Sequence, residues 1–188
     1  METTAPEPAG ISPLRFGTIL FLSSELLLFG GLFAAYFGLR AETSVWPPRG
    51  ADLDVALATV GTGLLIASSF TFRAGVSSAG RGALRRFRGW TLATMALGVA
   101  FLAIQIYDYT RLAFSVSSNA YGTMYYSMTG FHGLHVFAGL VLMVVVLGRA
   151  SLGAYEDGGV DGLECVAYYW HFVDVVWIGL YATLFLLR

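Results

Sequence analysis

Five long apolar stretches constrain the fold of this chain more than any other feature of its sequence. They cover residues 16–39, 55–72, 90–106, 124–147 and 163–187. A transmembrane helix needs about 20 mostly apolar residues, with a range of about 17 to 25. Helices and closed barrels are the structures that satisfy their backbone hydrogen bonds inside a bilayer. The sequence therefore predicts an all-α, integral membrane bundle of five transmembrane helices.

The segments outside these stretches are too short to form a second domain. The loops are at most about 20 residues long, which is too short for an independent hydrophobic core. The N-terminal segment is rich in proline and acidic residues and lacks the positively charged start of a secretory signal peptide. We expect residues 1–14 to be a disordered tail and residues 15–188 to be one five-helix domain.

The low charge content agrees with a membrane location. Charged residues make up 12% of the chain, about half of the roughly 25% found in soluble domains. The formal net charge of −1 gives no reason to expect nucleic acid as a partner. Cys165 is the single cysteine, so the chain can form neither an internal disulfide nor a thiolate cluster.

The distribution of arginines predicts the orientation in the membrane. Arginines are enriched in the cytoplasmic loops of membrane proteins. With the N-terminus inside, seven arginines fall on the inner side and four on the outer side. The inner ones are Arg15, Arg149 and the five within residues 73–88, read here as a loop; the outer ones are Arg40, Arg49, Arg111 and Arg188. We therefore expect a cytoplasmic N-terminus and an external C-terminus.

Glu25 is a lone carboxyl group near the middle of the first span. Ionisable side chains at membrane depth are costly, and they persist there with a partner or a functional role. One interpretation is participation in proton uptake. The other is interhelical packing, in which Ser23 and Ser24 beside it donate hydrogen bonds.

His132 and His135 lie three residues apart in the fourth span and so project from one face of a helix. This spacing could serve a metal or a haem. However, the chain has three histidines in total and no adjacent methionine or cysteine cluster to complete a copper site. We expect no metal site, and hydrogen-bonded helix contacts are favoured.

His171 and Asp174 show the same three-residue spacing in the fifth span. An imidazole and a carboxylate one turn apart can pair directly, which lowers the cost of burying either group. The same face could receive His132 and His135 from the fourth helix. The four side chains are therefore predicted to form a polar seam between the helices. Asp108 and Glu164, near the ends of their spans, are expected to be interfacial.

Arg149 closes the fourth span at the predicted inner side. A guanidinium at headgroup level can bind a lipid phosphate with two hydrogen bonds. The alternative is ordinary snorkelling of the side chain to the interface.

Four segments carry a resemblance to a known family. They are SSELLLFGGLFAAYF at 23–37, WPP at 46–48, YGTMYYSMTGFHGLHVFAGL at 121–140 and YYWHFVDVVWIGLY at 168–181. With these motifs the chain resembles subunit III of the haem–copper cytochrome c oxidases, of the short bacterial type, from about Arg15 to Leu187.

The resemblance implies a non-redox subunit of a proton-translocating terminal oxidase that passes electrons from cytochrome c to oxygen. It implies that haem and copper lie in partner subunits and that this chain holds no catalytic residue. The implied partners are oxidase subunits I and II, with a small subunit IV as a further candidate, and structural phospholipids. The implied location is the bacterial cytoplasmic membrane.

The resemblance also assigns two residues. Glu25 matches the family's intramembrane glutamate, which lies toward subunit I and supports proton uptake. Arg149 matches a family position suited to a lipid headgroup. Longer members have two additional helices before the helix that contains Ser24 and Glu25. Here we expect a partner subunit or bulk lipid to take their place.

Three alternatives stay open from the sequence. The chain could be the third subunit of a quinol oxidase, which is also a five-helix relative. It could be an accessory protein of nitric oxide reduction from the same superfamily. A more distant possibility is a small membrane transporter that uses the buried ionisable groups as a relay, although no internal repeat of the transporter kind is visible.

Overall fold

A computed structural model describes residues 12–155 and 159–187 of the chain. The predicted tail, apart from its last three residues, and Arg188 lie outside the described residues. The described part contains five α-helices and a π-helical turn that continues the last one, Ala182–Leu186. The helices are α1 (Pro13–Glu42), α2 (Val55–Gly80), α3 (Leu84–Arg111), α4 (Ala120–Ser151) and α5 (Asp161–Tyr181).

The helices are long and apolar enough to cross a membrane. This confirms the predicted all-α membrane bundle. They also extend beyond the apolar stretches that predicted them. The largest difference is at residues 73–88, read from the sequence as a loop. There α2 continues to Gly80 and α3 begins at Leu84. Arginine side chains can snorkel from a helix end to the interface, so their presence does not end a helix.

Polar side chains cap the first turn of three helices. Ser12 accepts a hydrogen bond from the backbone N–H of Arg15 at the start of α1 (3.4 Å). Asp54 accepts one from Leu57 at the start of α2 (3.0 Å). Asn119 begins α4 in the same way, accepting from the N–H of Gly122 at 2.8 Å. Such caps satisfy backbone donors that have no partner within the helix.

The bundle has two chemically different ends. The end that holds the start of α1 and the α2–α3 and α4–α5 connections is called here the arginine-rich end. At this end Arg15 binds Asp161 of α5 at 2.7 Å, and Arg88 donates to the carbonyl of Ala150 at 3.0 Å. At the opposite end, Arg40 of α1 donates to the carbonyl of Leu187. Side-chain hydrogen bonds thus tie α1 to the last helix at both ends.

Helix α5 is packed against α1, α2 and α4. Its two tryptophans are fully buried, and each indole N–H is satisfied by α2. Trp170 donates to Ser68 Oγ and Trp177 donates to Thr62 Oγ1, both at 2.9 Å. Because an unpaired indole N–H would be costly in a bilayer core, these two bonds hold α5 against α2 in one register.

Small residues allow α4 to approach α5 closely. A Cβ atom added to Gly139 of α4 would lie 2.6 Å from the ring of Trp170. At Gly98 of α3, an added Cβ would lie 3.0 Å from the same ring. Small residues are the common means of close helix contact in membranes, where the hydrophobic effect provides no drive between helices.

Helix α1 lies at the edge of the bundle. Its buried side chains are Phe29 and Tyr36, and Leu27 is 77% exposed. It contacts α5 and α4 and leaves most of its apolar surface outward. In a membrane this surface meets lipid or another subunit.

Candidate functional site

Glu25 of α1 meets His135 of α4 near the middle of the bundle. Glu25 lies about 18 Å from the start of α1, at a rise of about 1.5 Å per residue. Its Oε2 atom is 2.9 Å from Nε2 of His135, and the two side chains are 18% and 14% exposed. The structure therefore brings together two residues that are 110 positions apart.

The second nitrogen of His135 determines how many protons this contact holds. Nδ1 lies 2.7 Å from the carbonyl oxygen of Phe131. A carbonyl can only accept a hydrogen bond, so Nδ1 carries a proton. The contact between Nε2 and Glu25 then needs one shared proton, held either by the carboxyl group or by the imidazole. In both arrangements the pair has no net charge, which suits its membrane depth.

Aromatic rings enclose this pair. The ring of Phe29 meets the imidazole of His135 edge-on at 5.1 Å, and the ring of Tyr169 stacks on it at 6.4 Å. The Tyr169 hydroxyl also donates to the carbonyl of His135 at 3.0 Å. Sequence analysis did not identify Tyr169 as part of this site, because its partner lies on another helix.

His132 occupies a different environment from His135. It is 1% exposed, stacks on Trp177 of α5 with ring centroids 4.9 Å apart, and meets Phe101 edge-on. Neither of its ring nitrogens has a hydrogen-bond partner among the described residues. Its contact with α5 is thus aromatic packing, and the hydrogen-bonded contact that the sequence suggested is seen at His135.

His171 and Asp174 both face α2. Nδ1 of His171 lies 2.7 Å from Ser69 Oγ, and the same hydroxyl donates to Oδ2 of Asp174. The direct pair expected from the sequence is therefore a serine-bridged pair. The reason is geometric: both side chains reach the same hydroxyl on the neighbouring helix. Nothing in the sequence around Ser69 distinguishes it from the other serines of α2.

The four residues predicted to form one seam are thus divided among three contacts. His135 contacts Glu25 on α1, His132 packs on Trp177, and His171 with Asp174 contacts Ser69. All three lie in the middle portion of the helices. The side-chain hydrogen bonds of these four residues to other helices join α4 to α1 and α5 to α2.

The two acidic residues expected at the interface are also paired. Asp108 accepts a hydrogen bond from the Tyr125 hydroxyl at 2.8 Å and is 7% exposed. Glu164 binds Arg73 of α2 at 3.2 Å. Tyr125 is a partner that sequence analysis missed, because it is one of many aromatic residues on α4.

An apolar groove runs along the bundle between α1 and α4, with α5 as its floor. Its volume is about 890 Å³. Phe21 and Tyr169 lie at its mid-membrane end, and exposed Arg149 lines it at the arginine-rich end. Further lining residues are Leu14, Thr18, Val141, Val145 and Cys165. The groove is apolar along its length, with the guanidinium of Arg149 at one end.

Tyr155 lies beside the same end of the groove. Burial raises the pKa of its phenol, and the positive charge of Arg149 acts in the opposite direction. The phenol is therefore neutral at physiological pH, and the guanidinium of Arg149 carries the charge at this end of the groove. Within the described residues, no group of three or more histidine, cysteine, aspartate or glutamate side chains is arranged to hold a metal.

These features define a multi-pass membrane protein with polar contacts buried at mid-depth. Residues 6–187 match the family model described as cytochrome c oxidase subunit III. The chain is 46% identical to "Probable cytochrome c oxidase subunit 3" of Nocardia farcinica, over 92% of this chain and 87% of that protein. It is 43% identical to the protein of the same name in Mycobacterium tuberculosis H37Rv, with the same coverage. The chain belongs to the cytochrome c oxidase subunit III family.

A third relative shows that the similarity is not restricted to these two organisms. The chain is 41% identical to "Cytochrome c oxidase subunit 3" of Thermostichus vulcanus, over 91% of this chain and 86% of that protein. The family resemblance carried by the four sequence motifs is thereby confirmed. The chain is accordingly a membrane subunit of a terminal oxidase of the respiratory chain.

Proposed function

We propose that this chain is the non-redox subunit III of a proton-translocating cytochrome c oxidase and that it supports proton uptake by subunit I. The observation that carries this proposal is the 2.9 Å contact of Glu25 with His135 at mid-depth. Glu25 lies on α1, and most of the apolar surface of this helix faces away from the bundle. A proton held there is placed where a neighbouring subunit can influence it.

The proposal extends to location and partners. The chain lies in the bacterial cytoplasmic membrane with its arginine-rich end toward the cytoplasm, in accordance with the distribution of arginines in membrane proteins. Subunits I and II are its partners and hold the haem and copper. A small subunit IV is a further candidate partner. The names of the relatives support cytochrome c, rather than a quinol, as the electron donor.

Glu25 and His135 would act as a proton reservoir rather than as catalytic residues. Moving the shared proton from Oε2 to Nε2 keeps the net charge of the pair at zero and converts a neutral pair into an ion pair. Adding a proton to the pair, or removing one, creates a charge at mid-depth. A charge that appears in an adjacent subunit therefore changes how tightly the pair holds its proton. The pair exchanges this proton more readily when such a charge is present.

Replacement of Glu25 by glutamine tests this role. Glutamine keeps the shape and a hydrogen bond to His135 but cannot release a proton. We expect the E25Q complex to assemble with an unchanged haem and copper spectrum. Its turnover should fall most at high pH, where protons for uptake are scarce. The measurement is oxygen consumption with reduced cytochrome c as a function of pH.

Ser24→Ala is the matched control. Ser24 is adjacent to Glu25, but its hydroxyl donates to the carbonyl of Phe21 at 2.7 Å and takes no part in the contact with His135. Its pH profile should equal that of the unmodified complex. If the E25Q and S24A profiles coincide across the pH range, Glu25 has no role in proton uptake.

A further inference from the structure

A second group of proton-binding side chains lies in the contact between α2 and α5, apart from the Glu25–His135 pair. Ser69 Oγ is 2.7 Å from Nδ1 of His171 and is hydrogen-bonded to Oδ2 of Asp174. Asp174 is 6% exposed, and its other oxygen, Oδ1, has no partner among the described residues. Since buried carboxylate oxygens are normally satisfied, this arrangement calls for a functional account.

The hydroxyl of Ser69 has one proton and therefore cannot donate to both neighbours. In a first arrangement Ser69 donates a hydrogen bond to the carboxylate of Asp174 and accepts one from the protonated Nδ1 of His171. In a second arrangement the carboxyl group of Asp174 donates to Ser69, and Ser69 donates to an unprotonated Nδ1. The heavy atoms keep the same positions in both. The two arrangements differ by the shift of two protons through one hydroxyl group.

Access to this group runs through His171. Asp174 is buried, whereas His171 is half-buried. Nε2 of His171 is neither hydrogen-bonded to a described residue nor among the enclosed polar atoms. On the side of the arginine-rich end, Arg73 of α2 and Glu164 of α5 form an ion pair at 3.2 Å. Glu164 precedes His171 by about 10 Å along the helix, at a rise of about 1.5 Å per residue.

The remaining neighbouring helices present no further charge to this group within the described residues. On α1, Glu25 is turned to His135. On α4, His132 is stacked on Trp177 of α5 and has no hydrogen bond to a described residue. The charged groups that can influence His171 are therefore Arg73 and Glu164, which form an ion pair with each other.

We propose that Ser69, His171 and Asp174 form a proton-binding site in which the serine hydroxyl passes protons between the imidazole and the buried carboxylate. A proton supplied from water at the arginine-rich end reaches Nε2 of His171 and gives an imidazolium. The proton on Nδ1 then moves to Ser69 Oγ as the serine proton moves to Oδ2 of Asp174. The products are a neutral carboxyl group and a neutral imidazole protonated at Nε2. One proton has been taken up, and the site has lost its negative charge.

This inference goes beyond the proposed role of Glu25 and does not depend on it. It is tested on the purified oxidase complex by infrared spectroscopy, since the C=O stretching band of a protonated carboxyl group shifts when its proton exchanges for deuterium. The Asp174 band is assigned from the difference between the unmodified complex and D174N. We expect the band to appear as the pH is lowered and to exchange with D2O.

The role of the serine is tested by S69A. Loss of the bridge should slow deuterium exchange of the Asp174 band about tenfold or more. S69T retains a hydroxyl group and should restore the exchange rate. S77A is the matched control on the same helix: Ser77 accepts a hydrogen bond from Arg81 and does not contact the site. Its exchange rate should be unchanged.

Two results would overturn the proposal. One is the lack of any protonated-carboxyl band from Asp174 at every pH at which the complex is stable. The other is an exchange rate in S69A equal to that of the unmodified complex. Should S69A fail to assemble, H171Q provides the same comparison, because it removes the entry point for the proton and leaves Ser69 and Asp174 in place. Unslowed exchange in H171Q would equally contradict the relay.

Discussion

Glu25 and His135 are two ionisable side chains within the bundle. Each provides the hydrogen-bond partner that the other needs when it is buried. They are 18% and 14% exposed, respectively, in the middle of apolar helices. An uncompensated ionisable group at this depth costs several kcal/mol in model systems. Because Phe131 fixes the proton on Nδ1 of His135, one further proton satisfies both partners. Interhelical packing and proton binding, which the sequence left as alternatives for Glu25, are therefore compatible in this geometry.

The mutual dependence of the pair predicts an unusual pattern of stability. Replacement of His135 by leucine leaves the carboxyl group of Glu25 without a partner on α4. We expect this variant to weaken the attachment of α1 by about 1–2 kcal/mol, the magnitude typical of polar contacts between membrane helices. Replacing both residues by leucine removes both polar groups and should be less harmful than H135L. The measurement is thermal unfolding of the purified complex, monitored by the loss of this chain from the complex.

A matched comparison separates this effect from general loss of a histidine. His132 has no hydrogen-bond partner among the described residues, so its replacement leaves no carboxyl group unpaired. The double variant E25L/H132L should be no more stable than H132L alone. If the Glu25–His135 double variant is as unstable as the sum of its single variants, the two residues are not energetically coupled.

At the scale of helices, α5 is joined to its neighbours by both hydrogen bonds and close packing. Hydrogen bonds from Trp170 and Trp177 and the Ser69 bridge attach it to α2. Close packing of Gly139 against the Trp170 ring attaches it to α4. Sequence analysis placed the polar residues of α5 against α4, whereas His171 and Asp174 contact Ser69 of α2.

The glycine contact can be tested with a pair of substitutions on one helix. Gly139→Ala would place a methyl group 2.6 Å from the Trp170 ring. We expect a loss of about 1–3 kcal/mol, the usual cost of overpacking a filled interior. Gly148→Ala on α4 is the control, because a Cβ there would meet nothing within 4 Å. It should be neutral or slightly stabilising. Thermal denaturation of the two complexes distinguishes them, and equal midpoints would show that α4 and α5 can separate at little cost.

For the whole molecule, the relevant feature is the asymmetry between a closed side and an open side. Helices α2, α3, α4 and α5 bury each other's side chains, whereas α1 leaves most of its surface outward and borders the groove of about 890 Å³. The groove extends from Arg149 at the arginine-rich end to Tyr169, which contacts His135. A lipid in this groove would therefore lie between the membrane surface and the Glu25–His135 pair and would exclude water from it.

We propose that Arg149 binds a phospholipid headgroup at the end of this groove. Arg149→Leu should reduce the phospholipid that remains bound after detergent purification, because the headgroup loses its bidentate partner. Arg85→Leu is the control: it removes an exposed arginine at the same end of the bundle that does not line the groove. Bound phospholipid is measured by phosphorus analysis and mass spectrometry of the complex. Equal lipid content in both variants would exclude a headgroup contact of Arg149.

The sequence by itself determined the membrane helices and the family. The hydrocarbon thickness sets a minimum apolar length, and the bilayer offers no water to backbone groups, so apolar stretches of this length become helices whatever their neighbours. The tertiary structure decided which polar groups meet. Glu25 is paired with His135 rather than with Ser23 or Ser24, and Asp174 meets His171 through Ser69. Such partners are set by helix order and rotation, which depend on packing of small and aromatic residues across helices far apart in the chain.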